Sequence, residues 1–218
     1  YAVLPPFTYA KKHLKSWMKD EKRKSNFPFG LLGAKSYIHR EPLGSIGMIS
    51  PWNFPIYLSL APLAGIFSAG NQVMHKPSEF TPTTSELLKE ICDSAFDETE
   101  FATFLGGPDV GAAFTQLKFD HLLFTGSGNI GKHVMRAASE NLVPVTLELG
   151  GKSPVIVSDS SNIDITARRV MFNKTLNAGQ ICLAPDYVYV HETEKDNFVE
   201  ACKDQVNNFY SDLKYNPD

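Results

Sequence analysis

From Pro42 onward, short apolar runs alternate with helical patterns, and this alternation constrains the fold more than any other feature of the chain. Ile46 to Ile49, Gln72 to His75, Phe101 to Phe104, His121 to Phe124 and Val145 to Leu147 read as strands. Between them Leu58 to Ala69, Thr83 to Phe96, Val110 to Gln116 and Ile130 to Ser139 carry helical spacing. That rhythm builds parallel βαβ units, and five such strands make an α/β fold with a doubly wound, Rossmann-like parallel sheet. Thr83-Thr84-Ser85-Glu86, just after Pro82, has the spacing of a capping box and is predicted to open its helix. After Gly150-Gly151 the rhythm restarts with a strand at Pro154 to Val157, a helix at Ile163 to Leu176, a strand at Tyr187 to Val190 and a helix at Glu194 to Phe209. This is the beginning of a second α/β domain. Two strands are too few for an ordinary covered sheet, so that domain is expected to be incomplete at Tyr215-Asn216-Pro217-Asp218. The expected divisions are 1–41, 42–150 and 151–218.

Composition bears on what such a chain does. With 21 Lys and Arg against 24 Asp and Glu, it is neither a disordered polyelectrolyte nor a nonspecific polyanion binder, so no nucleic-acid partner is expected. No run approaches the roughly 18 apolar residues of a membrane-spanning helix, and the start lacks the apolar core of a secretory signal. A cytoplasmic protein with no membrane partner is the expectation. The first residue is Tyr1 rather than Met, which suggests a chain that begins inside a longer protein. A basic helix predicted from about Thr8 to Lys24, with Leu14, Trp17 and Met18 on one side, is read as a solvated face packed on a larger body. Three cysteines, Cys92, Cys182 and Cys202, are too few for a disulfide framework and lack zinc-ligand spacing. No metal site is expected, and the six scattered histidines are assigned no chemistry.

Five places carry residue types suited to chemistry. Gly126-Ser127-Gly128-Asn129-Ile130-Gly131 follows a strand and opens a helix, the setting of a phosphate-binding loop, although a tight turn without ligand has the same look. Glu148 lies about twenty residues on, where a plain dinucleotide fold would anchor a ribose. Asn53, pinned between Pro51 and Pro55, is an oxyanion-hole candidate or a helix N-cap. Lys76 and Glu79 should project at the carboxyl edge of the sheet, as a nucleotide-binding pair or a charged surface turn. Cys182 follows Asn177-Ala178-Gly179-Gln180-Ile181, as a loop nucleophile or an ordinary buried thiol.

Taken together, Pro51-Trp52-Asn53-Phe54-Pro55, Lys76-Pro77-Ser78-Glu79, Phe124-Thr125-Gly126-Ser127 with Gly131, Leu147-Glu148-Leu149-Gly150-Gly151-Lys152 and Gly179-Gln180-Ile181-Cys182 resemble the ordered motif series of the NAD(P)-dependent aldehyde dehydrogenase superfamily. Ser78-Glu79-Phe80-Thr81-Pro82 and Ala184-Pro185-Asp186-Tyr187 look most like its coniferyl aldehyde dehydrogenase branch. The resemblance implies an NAD(P)-binding domain at 42–150 and part of a catalytic domain at 151–218, after an N-terminal helix and bridging-strand segment at 1–41. It implies NAD, or NADP, as cofactor, a small-molecule aldehyde as substrate, and a homodimer or homotetramer for the full-length protein.

Residue by residue, it makes Cys182 the nucleophile, Glu148 the general base and Asn53 the oxyanion donor. Glu79, after Lys76, takes the adenosine ribose, Gly126 and Ser127 with Gly131 behind them face the pyrophosphate, and Ile49, Pro51 and Trp52 line the cofactor cleft. General-base work of this kind suits a partly buried carboxylate. The family's later Glu-x-Phe-Gly-Pro motif is not in this sequence, so the isolated chain is expected to be inactive. Phe27 to Glu41 resembles the family's first bridging strand, expected to pair with a segment not present here. Two alternatives stand beside this one, a noncatalytic nucleotide-binding module and a plain Rossmann dehydrogenase.

Overall fold

The computed structural model describes residues 2–211 and divides after Glu148 into two compact units. The first opens with α1 (Leu4–Trp17), β1 (Glu21–Arg23) and β2 (Ser36–Ile38). The helix predicted to run to Lys24 therefore stops seven residues short. Beyond Met18 the segment Lys19 to Lys24 has no apolar side chain to extend a buried stripe, so a helix there would gain nothing from packing. Instead Glu21, Lys22 and Arg23 pair antiparallel with Ile38, Tyr37 and Ser36, and Glu21 takes ion pairs from Arg23 and Arg40. Ser36 to Ile38, within the segment likened to the bridging strand, thus has one partner strand in this chain.

β3 (Ser45–Ile49), α2 (Pro55–Leu60), α3 (Leu63–Ser68), β4 (Gln72–Lys76), α4 (Pro82–Ala95), β5 (Phe101–Thr103), α5 (Pro108–Thr115), β6 (His121–Gly126), α6 (Gly128–Ser139) and β7 (Val145–Leu149) follow. The single helix expected over Leu58 to Ala69 is two, because Pro62 has no N–H to donate and breaks the ladder. The capping box at Thr83 is also not formed. Pro82 takes the first helical position after Thr81, which makes no side-chain cap, and Ser85 bonds instead to the Ser78 carbonyl at 3.0 Å.

The five strands order as β5-β4-β3-β6-β7, with β3 parallel to both β4 and β6, and β5 parallel to β4. The earliest strand of the sheet is therefore central, the order of a doubly wound fold. One face packs Met48, Leu63, Val73, Cys92 and Phe101, with Phe7 of α1 against them; the other packs Phe114, Phe119, Leu122, Phe124 and Val134. Burial on both faces is why β3 reads as a continuous apolar run.

The second unit holds β8 (Ser153–Val157), α7 (Ile163–Thr175), β9 (Pro185–Val190) and α8 (Lys195–Phe209). Asn162 caps α7 by accepting the Ile165 N–H at 3.0 Å. The strands pair in parallel, and Val157, Ala167, Phe198 and Ala201 make a small core under one face. On the other, Ile156 is 77% exposed and Tyr189 62%. Residues 212–218 of the expected second domain lie outside the described residues.

Burial, helped by the charge of Lys76, pushes His75 in the first core down to about 3 from 6.5. As pH falls below 6.5 the unfolded chain takes up a proton that the folded chain refuses until about 3, so stability falls across that window. The loss should reach about 2 kcal/mol at pH 5. His39 works in the opposite sense, raised by its hydrogen bond to Asp20, so the His75→Leu variant isolates the contribution. Urea unfolding at pH 7 and pH 5 should show a smaller drop in this variant than in the parent chain, and an equal drop would refute the assignment.

Candidate active site

Register brings the site together in the first unit. Ile49, the last residue of β3, is the partner of Lys76 at the end of β4 and of Phe124 near the end of β6. Three loops therefore leave one edge of the sheet side by side: Ser50 to Phe54, Pro77 to Thr81, and Gly126 to Ser127. The crevice between β3 and β6, where the chain direction of winding reverses, is the position at which open α/β sheets bind ligands.

The middle loop is held by its prolines. Pro55 occupies the first turn of α2, whose N-cap is Phe54, so Asn53 is not the N-cap. It sits half-buried in the bend with Ile49 and Pro51, while Trp52 is exposed.

On one side, Lys76 is buried and its Nζ donates to Glu79 Oε2 at 2.8 Å and to the Pro77 carbonyl at 3.1 Å. Glu79 is more open, its side chain 33% exposed. Desolvation acts to raise its carboxyl, but the Lys76 hydrogen bond, a bond to its own backbone and the Lys76 charge outweigh it and hold the group below its ordinary value. The edge thus presents a charged carboxylate whose counter-ion is anchored beneath it.

On the other side, Ser127 caps α6, its Oγ accepting the Ile130 N–H at 3.4 Å. A Cβ at Gly126 would come within 2.5 Å of the Phe124 ring, and Gly131 is buried in the following turn. The start of α6, opened by Gly126, Ser127 and Gly128, places the N–H groups of a helix N-terminus at the sheet edge, a setting that favours an anion. Glu148 is the penultimate residue of β7, an edge strand, and is exposed, so the partial burial expected of a general base is not supplied by the described residues.

Cys182 belongs to the second unit, in a turn between α7 and β9. Asn177, Ala178 and Gly179 ahead of it all have positive φ, 50°, 53° and 76°. For Ala178 that conformation costs on the order of 1 kcal/mol. At Gly179 a side chain is barred outright, since a Cβ would lie 2.9 Å from the Lys174 carbonyl. The strained turn delivers an exposed thiol, whereas Cys92 is buried and Cys202 half-buried. Sequence reasoning missed the buried polar group behind the Asn53 loop, Ser50, Ser59 and His75, because no local pattern marks it. Among the described residues, no helix is long and apolar enough to cross a membrane and no cluster of His, Cys, Asp and Glu is arranged to hold a metal.

Comparison with known proteins agrees with this geometry. The family model described as "Aldehyde dehydrogenase family" matches residues 6–215. A probable coniferyl aldehyde dehydrogenase of Caulobacter vibrioides is 56% identical over 98% of the chain and 44% of its own length. A structure of the substrate-bound state of Staphylococcus aureus AldH superposes with a TM-score of 0.94 at 42% identity, covering 100% of this chain and 47% of that one. The Mycobacterium tuberculosis aldehyde dehydrogenase complexed with NAD+ gives 0.84 at 29% identity, over 94% and 42%. The chain spans less than half the length of these relatives. The strand order, the ordered motifs and a match over nearly the whole chain converge: the chain belongs to the aldehyde dehydrogenase family.

Proposed function

We propose that the protein carrying this chain oxidises an aldehyde, of the coniferyl aldehyde type, to a carboxylic acid with NAD. The observation that carries this reading is the edge formed by Asn53, the Lys76–Glu79 pair and the α6 start, in a chain 56% identical to a probable coniferyl aldehyde dehydrogenase. The residues present fit the cofactor: Glu79 offers a charged, accessible acceptor to ribose hydroxyls, and Gly126 leaves room for a pyrophosphate at the helix start. Topology favours Glu79 over Glu148 as ribose acceptor, because Glu79 follows the second strand of the sheet while Glu148 lies on its far edge. A plain Rossmann dehydrogenase would need the reverse, and it leaves Asn53 and Cys182 without a role. In the domain organisation proposed, 42–150 binds cofactor and 151–218 supplies the nucleophile.

The chemistry follows from residue types. The Cys182 thiolate adds to the carbonyl carbon, forming a C–S bond and a tetrahedral alkoxide. The Asn53 amide and the Cys182 backbone N–H donate to that oxygen. NAD, which Glu79 and the start of α6 would hold, would supply the acceptor for the hydride on that carbon, whose loss leaves a thioester on Cys182. Glu148 takes a proton from water, the resulting hydroxide attacks the thioester, the C–S bond breaks, and the acid departs with the thiolate regenerated. A thioester remains a good acyl donor after hydride loss, which explains Cys over Ser.

Four outcomes are expected. Limiting iodoacetamide at neutral pH should label Cys182 first, since desolvation raises the thiols of both Cys92 and Cys202, with Asp93 adding to Cys92; peptide mapping that finds either of these first would count against the nucleophile assignment. Calorimetry should show NAD bound more tightly than NADP, with Glu79→Gln narrowing the gap by roughly tenfold, because the fixed carboxylate repels a 2′-phosphate. In the complete natural protein, whatever its length, aromatic aldehydes should drive NADH formation that Cys182→Ala abolishes. The 218 residues alone should give no appreciable turnover, as misplacement by about 1 Å can cost a hundredfold and the Glu-x-Phe-Gly-Pro motif is not in this sequence. Cys182-dependent turnover by the 218 residues at the rate of the complete protein would overturn that expectation, and Cys182-independent turnover would overturn the mechanism.

A further inference from the structure

Behind the Asn53 loop lies a chain of polar side chains inside an apolar core. Ser50, Ser59 and His75 are 3%, 0% and 1% exposed. Ser50 Oγ is 2.7 Å from Ser59 Oγ and 2.8 Å from His75 Nε2. Each member stands where the site is built: Ser50 opens the loop that carries Asn53, Ser59 lies on the helix into which that loop runs, and His75 immediately precedes Lys76.

The protonation pattern follows from burial. The imidazole is neutral at pH 7, because desolvation and the Lys76 charge both oppose its cation. A neutral ring carries one N–H. Placed on Nε2, it donates to Ser50 Oγ, which frees the Ser50 hydroxyl to donate to Ser59 Oγ. His75 Nδ1, buried without a partner, is then a bare acceptor, which is cheaper than a buried N–H with nothing to bond.

Packing alone does not call for these residues. Met48, Val73 and Phe101 surround an apolar site in which a leucine would fill space without an orphaned nitrogen. What the polar chain adds is geometry. The β3–β4 ladder ends at Ile49 and Lys76, with the Ser50 N–H donating to the Lys76 carbonyl at 3.2 Å, and the side-chain bonds continue the tie beyond that rung.

We infer that His75 is a positioning residue, which through Ser50 and Ser59 fixes the Pro51–Phe54 loop, and with it Asn53, against the strand end that carries Lys76 and Glu79. This rests on the proposed role of Asn53 as oxyanion donor. His75 touches neither substrate nor cofactor; it acts by holding the donor where the alkoxide forms. The ribose contact at Glu79 does not depend on it, because the Lys76–Glu79 pair is local, whereas Pro51 and Trp52 of the assigned cofactor cleft belong to the loop it holds.

The test has two readouts. In the 218-residue chain, His75→Leu should lower backbone order parameters of Trp52, Asn53 and Phe54 from the rigid range near about 0.85 toward about 0.6, with core amides such as Val73 and Leu122 unchanged. Ser50→Ala, which removes the central hydroxyl with little change of volume, should do the same and serves if His75→Leu fails to fold. In the complete natural protein, His75→Leu and Ser50→Ala should each lower kcat tenfold or more, with a smaller rise in KM for NAD through Pro51 and Trp52 of the same loop. The double variant should be no worse than either single change, and His75→Gln, whose side-chain amide reaches the place of Nε2, should restore most of the rate. Unchanged loop order, unchanged kcat, or a loss that Gln fails to rescue would each overturn the inference. Asn53→Ala separates the two readings: wild-type kcat there defeats the oxyanion assignment itself, whereas a large loss there with none in His75→Leu defeats only the positioning role.

Discussion

Close approach at Gly47 is the constraint on which the first unit depends. A Cβ at this central position of β3 would lie 2.5 Å from the Phe119 ring and 2.7 Å from Leu122, so only glycine lets β3 and β6 share one layer with Phe119 packed over it. Any side chain there would displace the Phe119 ring and the Leu122 side chain from the face of this strand pair. β3 is hydrogen-bonded in register to both β4 and β6, and this register sets where the carboxyl ends of three strands lie. The loops bearing Asn53, Glu79 and Ser127 inherit their spacing from that register.

The edge also shows how charge is stationed at a fixed place. A buried ammonium is costly unless it is paired, and Lys76 has both an acidic partner and a backbone carbonyl within hydrogen-bond distance. Its stem runs through the core, so its position is fixed by packing. Glu79, three residues on, is tethered to that anchored head while leaving part of its carboxylate to solvent. An unpaired glutamate on a free turn would sample many rotamers and lose entropy on binding. Here much of that ordering is already in place.

How much of this could be read from the chain depends on the range of the interactions. The βα alternation was legible because the central strand β3 buries both faces and appears as an apolar run, with shorter apolar runs repeating at regular spacing after it; the site edge was legible because its motifs adjoin those runs directly. Boundaries set by one residue's chemistry were harder, as where Pro62 divides a helix or Thr81 and Pro82 displace the box at Thr83. Features that depend on register were not legible at all. β1 forms only because Ser36 to Ile38 returns alongside it, and the Ser50–His75 bond joins residues 25 positions apart that meet through the pairing of β3 with β4. The left-handed run at Asn177 to Gly179 has its asparagine and glycine as local signals, but nothing marks Ala178 between them, since alanine rarely adopts that conformation.

A shared physical logic links these loops. Reactive and binding side chains must stand clear of the core, yet a loop long enough to reach outward is ordinarily free to move. Each loop here is stiffened by a different local device: flanking prolines and a buried polar tie for Asn53, an ion pair rooted in the core for Glu79, a helix cap for Ser127, and consecutive left-handed residues for Cys182. None of these devices requires many buried contacts, so none demands that the functional groups themselves be buried. Strain at Ala178 is tolerable for the same reason, since the adjoining helix and strand fix both ends of the turn and leave the chain little alternative path. The rigidity of the strands is thereby carried past their ends, out to the side chains to which the proposed function gives a reactant or cofactor.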